Sequence, residues 1–210
     1  MTEPPHSTEP AIGPDSDHDA PRFRHGAGRL CLDYIRTLRY RGTDDPVDEL
    51  ARPTDLAAWV SQFGPCPADA SGPAHTADAL ELRKAVFDLV QAARSPEGVG
   101  SCPRTARDVV NRVAATAVPT PVLDASVQLR WQADDPVAAT LALIARDALD
   151  LVTSPAIGQV RACASPTCEA LFCDTSRPGN RRWCSMGSCG NQAKKNTFRG
   201  KGKSDSVSVH

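Results

Sequence analysis

The sequence predicts a mainly α-helical domain with a small β-sheet, an α+β class, followed by a small C-terminal module built on cysteines. Apolar residues recur at helical spacing in four segments between residues 56 and 151. A further segment, residues 126–131, alternates apolar and polar residues with the period of a strand. Five of the eight cysteines lie between Cys163 and Cys189, a stretch too short to bury much apolar core of its own.

Length and composition are typical of a globular protein. The chain has 210 residues, of which 40% are hydrophobic, enough for a buried core. Its longest apolar run, near residues 138–145, is shorter than the roughly 18 residues that a membrane helix requires. The first 20 residues are rich in Pro, Asp and Glu and lack the apolar core of a secretory signal. We therefore expect a cytoplasmic protein with no membrane segment, in a reducing compartment.

These patterns divide the chain into four parts. Residues 1–21 lack periodicity and are predicted to be a disordered tail. Residues 22–155 are predicted to form the helical domain and residues 156–200 the cysteine-rich module. Residues 201–210 are predicted to be a second disordered tail.

The first segments of the domain differ in how clearly their patterns predict a helix or a strand. The apolar segment 28–35 is compatible with a helix or a strand. A helix then begins at Thr54 and ends before Gly64, and a longer one follows Pro73 and ends at Ser95. Their apolar faces predict core packing.

The second half of the domain contains two more helices and a strand. Residues 105–108 resemble a capping box, and apolar residues through Ala117 predict a third helix. The alternation of residues 126–131 predicts a half-buried strand. Asp135, as a cap before a first-turn proline, then begins a last long helix that ends before Ser154.

Charge is divided unevenly along the chain. Residues 161–203 carry nine Lys or Arg against two acidic residues, a net charge of +7, whereas residues 1–160 carry −7. A basic block of this kind is typical of a segment that binds a polyanion. A merely solvated basic tail is the alternative.

The cysteines provide the most specific motif. Cys163 with Cys168, and Cys184 with Cys189, form two C-x4-C pairs separated by fifteen residues. Two close pairs of thiolates are the usual ligands of a tetrahedral Zn²⁺, so we predict one zinc ion per chain. Buried thiols without metal are the alternative. Cys173 has no pairing partner at matching spacing and is predicted to be a buried or half-buried free thiol on a strand, with ligand exchange as the second interpretation.

The residues around these cysteines resemble a known family. Leu171-Phe172, Asp174, Ser176-Arg177, residues 181–186 and Cys189-Gly190-Asn191 resemble the CGNR zinc finger of bacterial stress-induced transcription regulators, with Gln192 in place of the final Arg. In that family the finger follows a helical ABATE domain that opens with a segment similar to residues 28–34. The resemblance implies zinc binding, DNA as a partner, and a first domain that senses an unknown small-molecule signal or forms a homodimer.

Several residues of the module are candidates for nucleic-acid contact. The segment that begins at Cys189 is predicted to be a short basic helix. Asn191 and Gln192 have the chemistry to read base edges, although they could equally cap this helix. Arg181 and Arg182 either contact the DNA backbone or cover apolar surface around Trp183. The phosphate-binding candidates on the helix are Lys194, Lys195 and Arg199.

The chain shows no HExxH pair, phosphate loop or evident nucleophile–base pair, so we predict that it is no enzyme. The basic module and the family resemblance instead imply a zinc-dependent, DNA-binding regulator that is associated with the nucleoid. The alternative function is a structural zinc module that docks protein or senses thiol oxidation without touching DNA.

Overall fold

The computed structural model describes residues 22–69 and 71–196. In these ranges helices dominate and are joined by three two-stranded antiparallel sheets, which confirms the predicted mainly helical α+β class. The tails predicted at residues 1–21 and 201–210 lie outside the described residues.

The elements are numbered in chain order. The α-helices of the helical domain, called the body below, are α1 Leu30–Ile35, α2 Pro53–Phe63, α3 Pro73–Arg94, α4 Arg104–Ala114 and α5 Pro136–Thr153. The strand pairs are β1 Leu38–Arg39 with β2 Val47–Asp48, β3 Thr120–Leu123 with β4 Leu129–Gln132, and β5 Val160–Ala162 with β6 Leu171–Cys173. Short 3-10 helices at Val99–Ser101 and Pro155–Gln159, and a π-helix at Met186–Gly190, complete the described elements. No helix among the described residues is long and apolar enough to cross a membrane.

The centre of the body is formed by α3, α4 and α5, which pack against one another. Trp59 of α2 is fully buried beside them. Its ring stacks on Phe63 at 4.6 Å and meets Tyr34 of α1 edge-on at 5.1 Å. The Tyr34 hydroxyl donates to the carbonyl of Ala79 in α3 at 2.5 Å, so an aromatic cluster joins α1, α2 and α3.

Local chemistry determines where α5 begins, as predicted. The Asp135 carboxylate accepts a hydrogen bond from the Ala138 amide at 2.9 Å, and Pro136 occupies the first turn. The other carboxylate oxygen lies 2.8 Å from Nε2 of His75, near the start of α3. Asp135 thereby joins the first turns of the two longest helices.

The prediction for α4 is wrong in two details. The helix begins at Arg104, after Pro103, and no side chain caps it, so the predicted capping box at residues 105–108 does not form. Because proline already holds the backbone at a φ near −52° before the first turn, Thr105 lies inside the helix. The helix ends at Ala114, and Ala117 is exposed beyond it.

The predicted strand forms, but it is not half-buried. It is β4, which pairs with β3 so that Leu129 lies opposite Leu123 and Trp131 opposite Pro121. These side chains share one face of the hairpin, and that face is exposed: Leu123 by 69%, Leu129 by 60% and Trp131 by 44%. Val127 is not in the strand but in the turn, with a φ of +58°. The alternation is therefore correct, whereas the expected cover on the apolar face is missing in the described part of the chain.

The C-terminal module is packed directly on the helical domain through β6. The Cys173 amide donates to the carbonyl of Ala27, just before α1, at 2.7 Å. Phe172 is fully buried in the same hydrophobic cluster as the helices of the body. At Gly28 the backbone has a φ of +88° and passes so close to Cys173 that an added Cβ would lie 3.0 Å from its Cβ.

We predict that Gly28→Ala destabilises the protein more than Gly26→Ala. Both glycines have a left-handed φ, +88° and +92°, so a side chain strains each backbone by about 1–2 kcal/mol. Only at Gly28 does the new methyl group also meet Cys173, since no atom of the described residues lies within 4 Å at Gly26. Urea unfolding should therefore show a larger loss for Gly28→Ala. Equal losses would contradict a tight junction at this point.

Candidate metal centre

Four cysteines from separate turns converge at the C-terminal module. Cys163 directly follows β5, and Cys168 lies in the turn that leads towards β6. Cys184 follows the loop after β6, and Cys189 lies in the π-helix Met186–Gly190. The β5–β6 hairpin thus presents one pair of thiols to the pair that comes from the later loop and helix.

The four sulfur atoms lie within 4.8 Å of one another. The Sγ of Cys184 is 3.6 Å from that of Cys168 and 3.8 Å from that of Cys189, and the Cys184 amide donates to the Sγ of Cys163 at 3.5 Å. A tetrahedral zinc ion with bonds of about 2.3 Å separates its sulfur ligands by about 3.8 Å. The four-cysteine cluster therefore fits one zinc ion.

Electrostatics in the cluster favours a cation. The contact with Cys184 lowers the pKa of Cys168 to about 5, because it stabilises a thiolate there. The same contact, followed by burial, raises the pKa of Cys184 far above the usual value for a thiol. Burial and the charge on Cys168 raise the pKa of Cys189 to about 11. Without a cation one thiol ionises at the expense of its neighbours, whereas Zn²⁺ allows all four to be thiolates.

A buried carboxylate shapes the loop between the two cysteine pairs. Asp174, directly after β6, accepts hydrogen bonds from the Ser176 hydroxyl at 2.6 Å and from the Arg181 amide at 2.8 Å. The bond from Ser176 holds the pKa of this carboxyl below its usual value. Gly179, with a φ of +58°, lets the loop turn back, and Cys184 is thereby returned to the first pair.

Arg181 is committed to contacts within the module. Its guanidinium lies 4.7 Å above the ring of Phe172. It donates to the carbonyl of Trp183 at 2.9 Å and also to the carbonyl of Cys184. Two roles were predicted for Arg181, contact with the DNA backbone and cover of apolar surface around Trp183. Its observed contacts lie within the module and correspond to the second role.

The remaining nucleic-acid candidates lie beside the cluster. Arg182 is exposed, with its guanidinium 5.2 Å from the Trp183 ring. Residues 191–196 are helical and directly follow the π-helix, and Lys194 and Lys195 are both exposed. The side-chain amide of Asn191 donates to the Gly187 carbonyl at 3.3 Å, and Asn191 and Gln192 are both exposed. Arg199 lies outside the described residues.

Cys173 stands apart from the four clustered thiols. It lies on β6 and is buried, as predicted, and its thiol donates to the Gln159 side chain at 3.6 Å. Burial raises its pKa, which disfavours the reactive thiolate form.

Sequence reasoning missed three arginines of the helical domain that lie beside the cluster. Arg24, Arg36 and Arg39 line the same small cavity as Cys168 and its neighbours. Neither periodicity nor motif spacing brings the start of the chain to the cysteine module, because that proximity arises only from tertiary packing.

The fold and the cluster define a helical domain fused to a zinc finger. Comparison with family models gives the same two parts. Residues 28–155 match the ABATE family, described as "Putative stress-induced transcription regulator", and residues 159–201 match the CGNR zinc finger. The chain therefore belongs to the ABATE family and carries a CGNR zinc finger, which confirms the resemblance noted above. No curated protein matches the chain. Both family descriptions are of the regulator or zinc-finger type.

We predict that zinc content distinguishes clustered from unclustered thiols. Cys184→Ser removes a sulfur that lies 3.6 Å and 3.8 Å from two others and should abolish or strongly weaken zinc retention. Cys173→Ser, the matched control, changes a buried thiol outside the cluster and should retain one zinc per chain. Metal analysis of the purified variants measures this. Full retention in Cys184→Ser, or loss confined to Cys173→Ser, would contradict the assignment of ligands.

Proposed function

We propose that this protein is a zinc-dependent, DNA-binding transcriptional regulator whose ligands to zinc are Cys163, Cys168, Cys184 and Cys189. The observation that carries the proposal is the exposed basic helix 191–196, which begins two residues after Cys189. Zinc binding fixes that cysteine and so determines where the helix starts. In the cell we expect the protein in the cytoplasm, associated with the nucleoid.

Charge supports a polyanionic partner. Residues 161–203 carry a net charge of +7, and a zinc ion with four thiolates reduces it to about +5. Among the described residues, Arg182, Lys194 and Lys195 are exposed and form no ion pair. Such side chains can contact phosphates and release the condensed counterions of DNA.

The contacts also separate two roles along the helix. The side-chain amide of Asn191 donates a hydrogen bond to the Gly187 carbonyl, so we assign this residue to support of the helix itself. Gln192 is exposed, and its amide can both donate to and accept from an adenine edge. We therefore assign base contact to Gln192 and phosphate contact to Arg182, Lys194, Lys195 and Arg199.

For the helical domain we propose self-association through the β3–β4 hairpin. The exposed face of Pro121, Leu123, Leu129 and Trp131 contains no charged group that would select a partner of opposite charge. Two copies of one face can pack together about a two-fold axis, which covers both at once. An isolated two-stranded hairpin is at best marginally stable in water, so such cover would also stabilise it.

An apolar patch of ordinary size predicts a weak dimer. An apolar patch on a monomer covers on the order of 300–600 Å². A standard interface buries about 800 Å² per partner. The hairpin alone therefore supplies roughly half of a stable interface, and association should depend on protein concentration. Binding of a small-molecule signal by this domain is a further part of the proposal.

The second candidate function is a zinc module that docks protein or responds to oxidation without contacting DNA. Its thiol-switch form requires a resolving thiol near the cluster. The burial of Cys173 and its raised pKa argue against that role for this residue. Zinc-loaded protein that binds no duplex from a random pool at low salt would favour this candidate.

We predict that Lys194→Ala with Lys195→Ala weakens binding to all duplexes by a similar factor. Loss of two phosphate contacts should reduce the slope of log K against log salt by about 1.8, at about 0.9 per contact. The matched control is Arg104→Ala with Arg107→Ala, which removes the same charge from exposed positions of α4 and should leave the slope unchanged. Gln192→Ala should instead alter preference among sequences, by about 1–3 kcal/mol. Undiminished binding by the double lysine variant would remove the helix from the interface.

We also predict that Leu129→Glu abolishes self-association, because it places a charge in the centre of the apolar face. Gln132→Glu is the control, since it adds the same charge to the same strand on the opposite face. Sedimentation equilibrium over a range of concentrations should show a weak dimer for wild type and for the control only. A wild-type chain that remains monomeric throughout that range would contradict the proposal.

A further inference from the structure

A small cavity lies where the helical domain meets the cysteine cluster. Its volume is about 40 Å³. Arg24, Arg36 and Arg39 line it from the helical domain. Three of the clustered cysteines, Cys168, Cys184 and Cys189, line it from the module, together with Ser188.

Two residues that line this cavity each have a buried polar atom without a hydrogen-bond partner among the described residues. These atoms are Nε of Arg39 and Oγ of Ser188. The rest of the Arg39 guanidinium is fixed, because it bonds Glu49 at 2.9 Å and the Tyr40 hydroxyl at 2.8 Å. A buried donor without an acceptor is unfavourable, so these two groups point to an acceptor at the cavity that the described part of the chain does not provide.

Arg24 adds an unused positive charge to the same wall. It is half-buried, and no ion pair or hydrogen bond of its guanidinium occurs in the described ranges. Arg36 differs, since it is paired with Asp33 at 3.3 Å and donates to the His25 carbonyl. Arg24 and Arg39 are therefore the two arginines with capacity for a further contact.

Zinc binding would create the acceptor that these groups lack. Four thiols have little capacity to accept, whereas four thiolates around Zn²⁺ carry a charge of about −2 and accept hydrogen bonds from N–H and O–H groups. We propose that Arg24, Arg39 and Ser188 support the zinc centre by donating hydrogen bonds and positive charge to its thiolates. The inference rests on the zinc coordination proposed above. By this proposal, Arg24 and Arg39 of the helical domain contribute hydrogen bonds and charge to the zinc centre of the finger.

This arrangement couples the two parts of the chain. If the arginines raise the affinity for zinc by some factor, zinc strengthens the contact between domain and finger by the same factor. A signal that moves the segment around β1 would then alter zinc retention, and loss of zinc would loosen the domain from the finger.

The test is a zinc competition titration of the full chain against a chelator of known affinity. Arg24→Gln and Arg39→Gln should each weaken zinc binding by about 10–100-fold, the usual effect of removing a partner of a metal ligand. Arg112→Gln is the matched control: it also removes one guanidinium, from an ion pair with Glu81 at 2.6 Å, and does not line the cavity. It should bind zinc as wild type does.

Two comparisons separate the explanations. Glu49→Gln removes the ion-pair partner of Arg39 but retains its guanidinium, and it should weaken zinc binding much less than Arg39→Gln. An equal effect would assign Arg39 a role in folding only and overturn its part of the proposal. Arg24→Gln breaks no described contact, so its helical circular dichroism should equal that of wild type.

The stoichiometry of the wild-type chain distinguishes failure of this inference from failure of the proposed function. Wild-type protein without bound zinc would overturn both. Wild-type protein with one zinc, together with arginine variants of unchanged affinity, would overturn only the support by the helical domain.

Discussion

The close approach of four thiols is the constraint on which the C-terminal part of this chain depends. Two strands of three residues cannot hold a fold, and the largest apolar side chain they contribute, Phe172, is buried in the core of the helical domain. The loop and the last helix are therefore held in place mainly by the four-cysteine cluster. Deprotonation of all four sulfurs in this cluster requires a divalent cation. The position of the basic helix is therefore determined more by metal chemistry than by hydrophobic burial.

The body and the finger meet at a backbone-to-backbone contact. Gly28 allows the start of α1 to approach β6, and the Cys173 amide uses the Ala27 carbonyl as its acceptor. Because β6 ends one residue before Asp174, this contact also places the carboxylate that shapes the loop towards Cys184. The junction thus contributes to the geometry of the cluster, although none of the four cysteines takes part in it.

Elements whose limits depend on local chemistry could be predicted from the sequence, including α5 with Asp135 and Pro136, and so could the two cysteine pairs. Their determinants lie within a few residues of each other. Alternation in β4 predicted a strand but not its exposure, because the period reveals that a face is apolar and not what covers it. The predicted start of α4 is wrong because the helix begins directly after Pro103, so the hydroxyl of Thr105 lies inside the helix and does not cap it. Arg24 and Arg39 could not be predicted, since their place beside the cysteines results from how α1 and β1 pack.

The π-helix that carries Cys189 has a consequence for insertions and deletions in this segment. Each residue of a helix turns the chain by about 100°, and a π-turn contains one residue more than an α-turn. Deletion of one residue between Met186 and Gly190 would therefore rotate the faces of Gln192 and the two lysines by roughly a quarter of a turn about the helix axis. The length of this five-residue segment would thus set the angular orientation of the basic side chains, even where their identities are unchanged.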